Sequence, residues 1–115
     1  MALNDTCLNI GATAMKNAIT HVSLATANPE PSGGSQATSA RLPVTWGTVA
    51  NGDFSLAANL AFTGGAANGP VAYACFWSAS TGGTYYGSQA LTGDSTFNSA
   101  GEYTITALTV NGAST

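Results

Sequence analysis

Charged residues are scarce in this sequence. Only 6% of its 115 residues are charged, with two Lys or Arg against five Asp or Glu, and the formal net charge is −3. Globular domains average about 25% charged residues. Nucleic-acid binding needs clustered Lys and Arg to displace counterions from phosphates, so this composition argues against a nucleic-acid partner. A surface made mainly of uncharged residues suits a chain that packs against other subunits, or an ordinary β domain with a hydroxyl-rich surface.

Long hydrophobic runs and an export signal are also missing. No stretch approaches the roughly 20 consecutive apolar residues of a membrane span, so we predict no membrane partner. The opening Met1-Ala2-Leu3-Asn4-Asp5 has neither the basic region nor the apolar core of a signal peptide. We therefore expect synthesis in a cytoplasm.

Residues that carry chemistry are few and scattered. His21 is the single histidine, and its neighbours are apolar or hydroxylic, so a histidine-based enzyme is disfavoured. The turn around Asp94 lacks the several ligands of a calcium loop. Cys7 and Cys75 share no metal spacing; each is expected to be a small buried hydrophobe, and a disulfide between them stays open. We predict no enzyme activity, no catalytic residue, no cofactor and no metal site. The carboxylates that form no close pair are Asp5, Glu30, Asp53, Asp94 and Glu102.

What the sequence does contain is a strong hairpin pattern over residues 71–87. Aromatic and small residues alternate on both sides of residues 80–83, Ser-Thr-Gly-Gly, and glycines reach the positive φ angles that tight turns need. Alternation divides the first strand into two faces. One face carries Tyr73, Cys75 and Trp77, and the other carries Ala72, Ala74 and Phe76.

The N-terminal third differs from the rest. Asn4 or Asp5 can cap a helix, predicted over residues 4–19, whose small and apolar side chains recur every three or four positions. That face packs on a sheet or lies at a subunit interface. A strand is predicted over 20–26. Residues 28–40 are rich in Pro, Gly and Ser without periodicity, and we predict an extended loop or arm that can reach a neighbouring subunit.

The remainder, residues 41–110, is predicted to form a β-sandwich body. A turn at 51–53 joins two alternating segments into a second hairpin, a strand runs over 84–90, and one continuous strand covers 102–110. Six or seven short strands with turns between them favour two packed sheets. The prediction is a single domain, 1–115, that is mainly β: a small antiparallel β-sandwich or jelly-roll-like domain with one N-terminal α-helix.

Large aromatic residues allow two interpretations. On a shared exposed face they form a platform on which sugar rings stack; otherwise they fill the core and the subunit interfaces. The aromatic residues in question are Trp46, Tyr73, Trp77, Tyr85 and Tyr86.

In their order along the chain, five segments resemble a known family. They are the opening at 1–4, the strand at 21–29, Ala-Arg-Leu-Pro-Val-Thr-Trp-Gly at 40–47, Phe-Trp-Ser-Ala-Ser-Thr-Gly-Gly-Thr at 76–84 and the closing strand at 100–110. These segments are similar to those of small virion structural proteins, minor tail or capsid decoration proteins, of tailed actinobacteriophages. The resemblance implies a particle component without enzymatic residues, on the tail or on the head.

Two hypotheses of function follow. The first is a non-enzymatic structural component of a tailed-phage virion, assembled in the host cytoplasm, that acts as a capsid decoration (minor capsid) or minor tail protein. It would contact the major capsid protein or tail proteins and form a homo-oligomer, with a trimer as one form. The alternative is a carbohydrate- or receptor-binding module that uses exposed aromatic residues.

Overall fold

The structure is a computed structural model that describes residues 3–111. The first element of the fold is a helix. Helix α1 spans Asp5–Ala18. The side chain of Asn4, one of the two predicted caps, accepts a hydrogen bond from the Cys7 amide at 3.0 Å and so satisfies a free donor of the first turn. Ala12 is the buried residue of the helix, so α1 lies on the surface of the domain and presents its opposite side to solvent.

Antiparallel strands make up most of the remaining structure. They form a four-stranded sheet in the order β2-β1-β5-β6 and two two-stranded ladders, β3-β8 and β4-β7. The mainly antiparallel β fold with one N-terminal helix is therefore confirmed. In chain order, the strands of the described residues are β1 His21–Ala25, β2 Leu42–Pro43, β3 Asp53–Ser55, β4 Leu60–Phe62, β5 Tyr73–Trp77, β6 Tyr85–Ala90, β7 Tyr103–Ile105 and β8 Thr109–Asn111.

The main hydrophobic core joins one face of the four-stranded sheet to the ladders and the helix. Val22 of β1 lies opposite Phe76 of β5, and both belong to this core. Cys75 and Trp77 of the same strand belong to a second, separate apolar cluster on the other face of the sheet. The predicted division of the strand into two faces is confirmed, and both faces of the sheet are covered. The ladders and helix contribute Ala12, Phe54, Leu60, Phe62, Tyr103 and Ile105 to the main core.

The predicted hairpins have different outcomes. β5 and β6 pair antiparallel, as expected from their alternation, with a bulge near Trp77. In the second hairpin the turn forms, with Asn51 and Gly52 at φ 53° and 79° and a bridge between Ala50 and Asp53. This is the positive-φ pair that a two-residue hairpin turn needs. Beyond it, the hairpin continues only as an isolated bridge from Trp46 to Leu56.

The prediction of one continuous strand over 102–110 is wrong. The chain forms β7 and β8 there, and the segment between them leaves the ladder. The cause is a change of partner: β7 pairs with β4, whereas β8 pairs with β3. The same change divides the segment that follows the turn at 51–53 into two strands, β3 and β4.

Candidate interaction surface

Residues 28–40, which we call the strap, cover the second face of the four-stranded sheet. Backbone bonds hold the strap to β1 and the residue after it: the Thr26 amide donates to the Ser35 carbonyl at 2.8 Å, and the Ala37 amide donates to the Leu24 carbonyl at 2.9 Å. Pro29 is fully buried. In the single chain the segment that was predicted to extend as an arm is folded against its own sheet. Contact between this segment and a neighbouring subunit stays a prediction.

A carboxylate anchors the beginning of the strap to β6. Glu30 accepts hydrogen bonds from the Tyr85 hydroxyl and, at 2.8 Å, from the Ser88 hydroxyl. These two bonds, that of Tyr85 first, hold the pKa of Glu30 below its usual value. Burial, followed by the bond to the carboxylate, raises the pKa of Tyr85 to about 12. Both shifts favour the state in which Glu30 is ionised and Tyr85 is protonated.

The centre of the strap satisfies the polar groups of the sheet face below it. The Ser23 hydroxyl donates to Gln36 Oε1 at 2.5 Å and accepts from Trp77 Nε1 at 2.8 Å. Gln36 Nε2 donates to Cys75 Sγ at 3.3 Å. Burial raises the pKa of the Cys75 thiol. Because buried polar groups are costly without partners, this chain of hydrogen bonds explains why Ser23 is tolerated inside.

Arg41 closes the far end of this layer. Its guanidinium lies 3.7 Å from the centre of the Trp77 ring, a cation–π contact. Its Nη1 also donates to the carbonyls of Ala79 and Gly82, at 2.9 and 2.8 Å. One side chain therefore connects the residue after the strap to the turn between β5 and β6. The second face of the sheet is closed by packing and is not a binding cleft.

The side chains that could act in catalysis or bind a metal do not form a cluster among the described residues. His21 Nδ1 lies 2.9 Å from the hydroxyl of Thr20, next to it in sequence. Within residues 3–111 no three His, Cys, Asp or Glu side chains come together as a metal site would require. Cys7 and Cys75 are both free thiols, so the disulfide does not form. Cys7 is exposed, and its predicted burial is wrong because it lies on the solvent side of α1.

The aromatic residues do not assemble into an exposed platform. Trp46 and Trp77 are each only 8% exposed. Trp46 packs edge-on against Phe54 in the main core, with ring centres 4.9 Å apart, whereas Trp77 lies beneath Arg41 beside Tyr85. Tyr86, at 48% exposure, is the large aromatic residue that the described surface presents to solvent. Among the described residues, the rings of Trp77, Tyr73 and Tyr85 do cluster, but on the sheet face beneath the strap and not on an exposed face as the carbohydrate-binding alternative requires.

An apolar groove opens on the side of the sheet opposite the strap. It has a volume of about 640 Å³ and lies between α1, β6 and β8. None of the described residues that line it is charged. The residues that line the groove include Ala14, Met15 and Ala18 of α1, Tyr86 and Gln89 of β6, and Val110 of β8.

Exposed apolar side chains continue from this groove along the helix. Ile10 is 69% exposed and lies four residues before Ala14, and Leu3, 50% exposed, lies seven residues before Ile10. The four-residue spacing places Ile10 and Ala14 on one side of α1, whereas Leu3 lies before the helix begins. With Tyr86, these residues include every large hydrophobic that is exposed in the described part of the chain. We call this patch and the groove together the apolar face; it is the feature of the domain that best fits contact with another protein.

No helix among the described residues has the length and apolarity needed to cross a membrane.

Comparisons with known proteins agree with a structural role. Searches of curated proteins and of solved structures found no match. A family model described as "Podophage GP4 fiber I protein gp80" matches residues 2–112. The match confirms the phage structural class that the sequence resemblance implied; the actinobacterial host and the capsid position stay predictions. The chain belongs to the podophage GP4 fiber I protein gp80 family of phage structural proteins.

Proposed function

We propose that this chain is a non-enzymatic subunit of a podophage fiber and holds its place by packing its neutral surfaces against other virion proteins. The family match over residues 2–112 carries the proposal, because it includes every element of the described fold from α1 to β8. A match of this extent is to the whole domain and not to one motif.

The described structure supports packing as the mode of action. The strap covers the second face of the sheet, and the described residues lining the groove between α1 and β6 are uncharged. Subunits with so little charge repel each other weakly, and many modest contacts in a repeated array give a stable assembly through avidity. The partners we propose are other copies of this chain and the neighbouring tail proteins, with assembly in the host cytoplasm.

The experiment that tests the location is quantitative mass spectrometry of purified particles, with the portal and major capsid proteins as internal standards. A fiber subunit gives a copy number far below that of the major capsid protein. A ratio close to that of the capsid protein would overturn the fiber proposal in favour of capsid decoration. Absence of the chain from intact particles would overturn a virion location altogether.

A fiber position also predicts where the chain is lost. In this second experiment, tails are removed mechanically by shearing and the heads are separated on a density gradient. The portal protein serves as the control for the head fraction. The chain should leave with the tail fraction and the portal should remain with the heads. Retention of this chain on tail-free heads would contradict the proposal.

A further inference from the structure

Within residues 3–111, the four-stranded sheet has one blocked edge and one open edge. The β2 edge is two residues long and ends in Pro43, which has no amide proton, so it cannot accept a strand. At the other edge, β6 has six residues, none of them charged and none proline. The bulge near Trp77 limits the regular part of this edge to residues 87–90.

The backbone groups that point away from β5 can be assigned from the ladder. The Leu91 amide donates to the Ala72 carbonyl, so the backbone of Leu91 faces β5. Antiparallel strands alternate, and the amides and carbonyls of Ala90 and Ser88 therefore face outward. No backbone hydrogen bond from these two residues to any other segment is found within residues 3–111.

What fits this edge is an extended strand without charge. Outward amides and carbonyls separated by two residues match the ladder of an antiparallel strand. A second copy of the chain offers such a strand in its own β6. The blocked β2 edge excludes head-to-tail joining of two four-stranded sheets, so two such sheets join through this edge by pairing β6 with β6 across a two-fold axis.

The apolar face lies beside the same strand. Tyr86 and Gln89 of β6 line the groove, and Ile10 extends the apolar surface along α1. A two-fold axis at the edge brings the two apolar faces next to each other. The hydrogen bonds would set the register, and removal of apolar surface from water would stabilise the contact.

We propose that β6 of one copy pairs antiparallel with β6 of a second copy, which joins two four-stranded sheets into one and covers the apolar face. The inference deepens the proposed packing function, and that function is its premise. The occupant of the edge is a second copy of this chain.

The test is analytical ultracentrifugation of the purified chain with two lysine variants. Ala90→Lys places a charge on the outward edge, and Ala67→Lys places the same charge in an exposed loop. We expect the wild type and Ala67→Lys to sediment at twice the monomer mass at high concentration, and Ala90→Lys to remain at the monomer mass. A monomeric wild type, or an Ala90→Lys variant that still doubles its mass, would overturn the proposal.

Hydrogen exchange of the unmodified chain provides a check that does not depend on the folding of a variant. In a monomer the outward amides of Ser88 and Ala90 exchange rapidly, whereas in the paired form they are protected. Protection of both amides that increases with protein concentration supports the pairing. Equal exchange at all concentrations, with a dimer still present, would place the interface elsewhere. Neither measurement uses particles, so failure of this surface is distinguishable from failure of the fiber location.

Discussion

Replacement of Arg41 by alanine should loosen the layer that covers the second face of the sheet. The guanidinium lies over Trp77 and bonds the carbonyls of Ala79 and Gly82. Alanine removes all three contacts and leaves the face of the Trp77 ring and two carbonyls to water. The second cation of the chain, Lys16, lies in the last turn of α1 and gives a matched control, because Lys16→Ala changes the net charge by the same amount.

The expected loss of stability follows from the three contacts. A cation–π contact contributes about 0.5 to 2 kcal/mol, and hydrogen bonds from a charged donor contribute about 1.5 to 3 kcal/mol each in favourable cases. Arg41 is only partly buried, and both bonds come from one nitrogen, so competition with water reduces the sum. We expect Arg41→Ala to lower the free energy of unfolding by about 2 kcal/mol, and Lys16→Ala to stay within about 0.5 kcal/mol of wild type.

Urea unfolding followed by circular dichroism measures the difference. With a urea slope of about 1 to 2 kcal/mol per molar, Arg41→Ala should shift the midpoint down by about 1 to 2 M without a change of slope. Arg41→Lys should lie between the wild type and the alanine variant, because lysine keeps the charge but not the planar stacking on Trp77. Equal midpoints for Arg41→Ala and Lys16→Ala would refute the reasoning.

Three further predictions concern the backbone, the tyrosines and the thiols. Gly101→Ala should destabilise the domain by about 2 kcal/mol more than Gly64→Ala in thermal unfolding: both glycines have positive φ, but a Cβ at Gly101 would lie 2.2 Å from a backbone oxygen, whereas none lies within 4 Å at Gly64. Because the pKa of Tyr85 is raised to about 12, the Tyr85→Phe variant should match wild type in the absorbance titration below about pH 11 and lose part of the absorbance change above it. Since the folded state favours the neutral phenol, the stability that Tyr85 contributes is complete below pH 10 and lost as pH rises through about 12. A thiol reagent should modify Cys7 at once in the native chain, and Cys75 only after urea is added, because burial shields it.

The parts of the fold that were predicted correctly from the sequence depend on local interactions. The cap at Asn4 acts within one helical turn, and the turn between β5 and β6 joins strands that are adjacent in sequence. Alternation of large and small side chains along β5 also identified its two faces correctly. In each case the residues that decide the structure lie within a few positions of one another.

The remaining structure depends on partners far apart in the chain. β3 and β8 begin at Asp53 and Thr109, and no pattern within either segment shows that they pair. The strap was predicted as an arm because its Pro, Gly and Ser content is typical of exposed loops. The contacts that hold it down include those of Glu30 with Tyr85 and of Gln36 with Cys75, 55 and 39 residues apart in sequence, which composition does not reveal.

The small number of charged residues bears on both the open β6 edge and the proposed assembly. Soluble proteins commonly protect a sheet edge with lysine or proline. Here Pro43 protects the β2 edge, Arg41 is engaged with Trp77, and Lys16 is on the helix, so no cation or proline protects β6. For a chain that acts alone, a lysine at position 90 would improve solubility without a functional loss. For a subunit whose β6 edge pairs in the particle, the same lysine would weaken incorporation of the chain into the particle. Competition between variant and wild-type chains during phage assembly distinguishes these two cases.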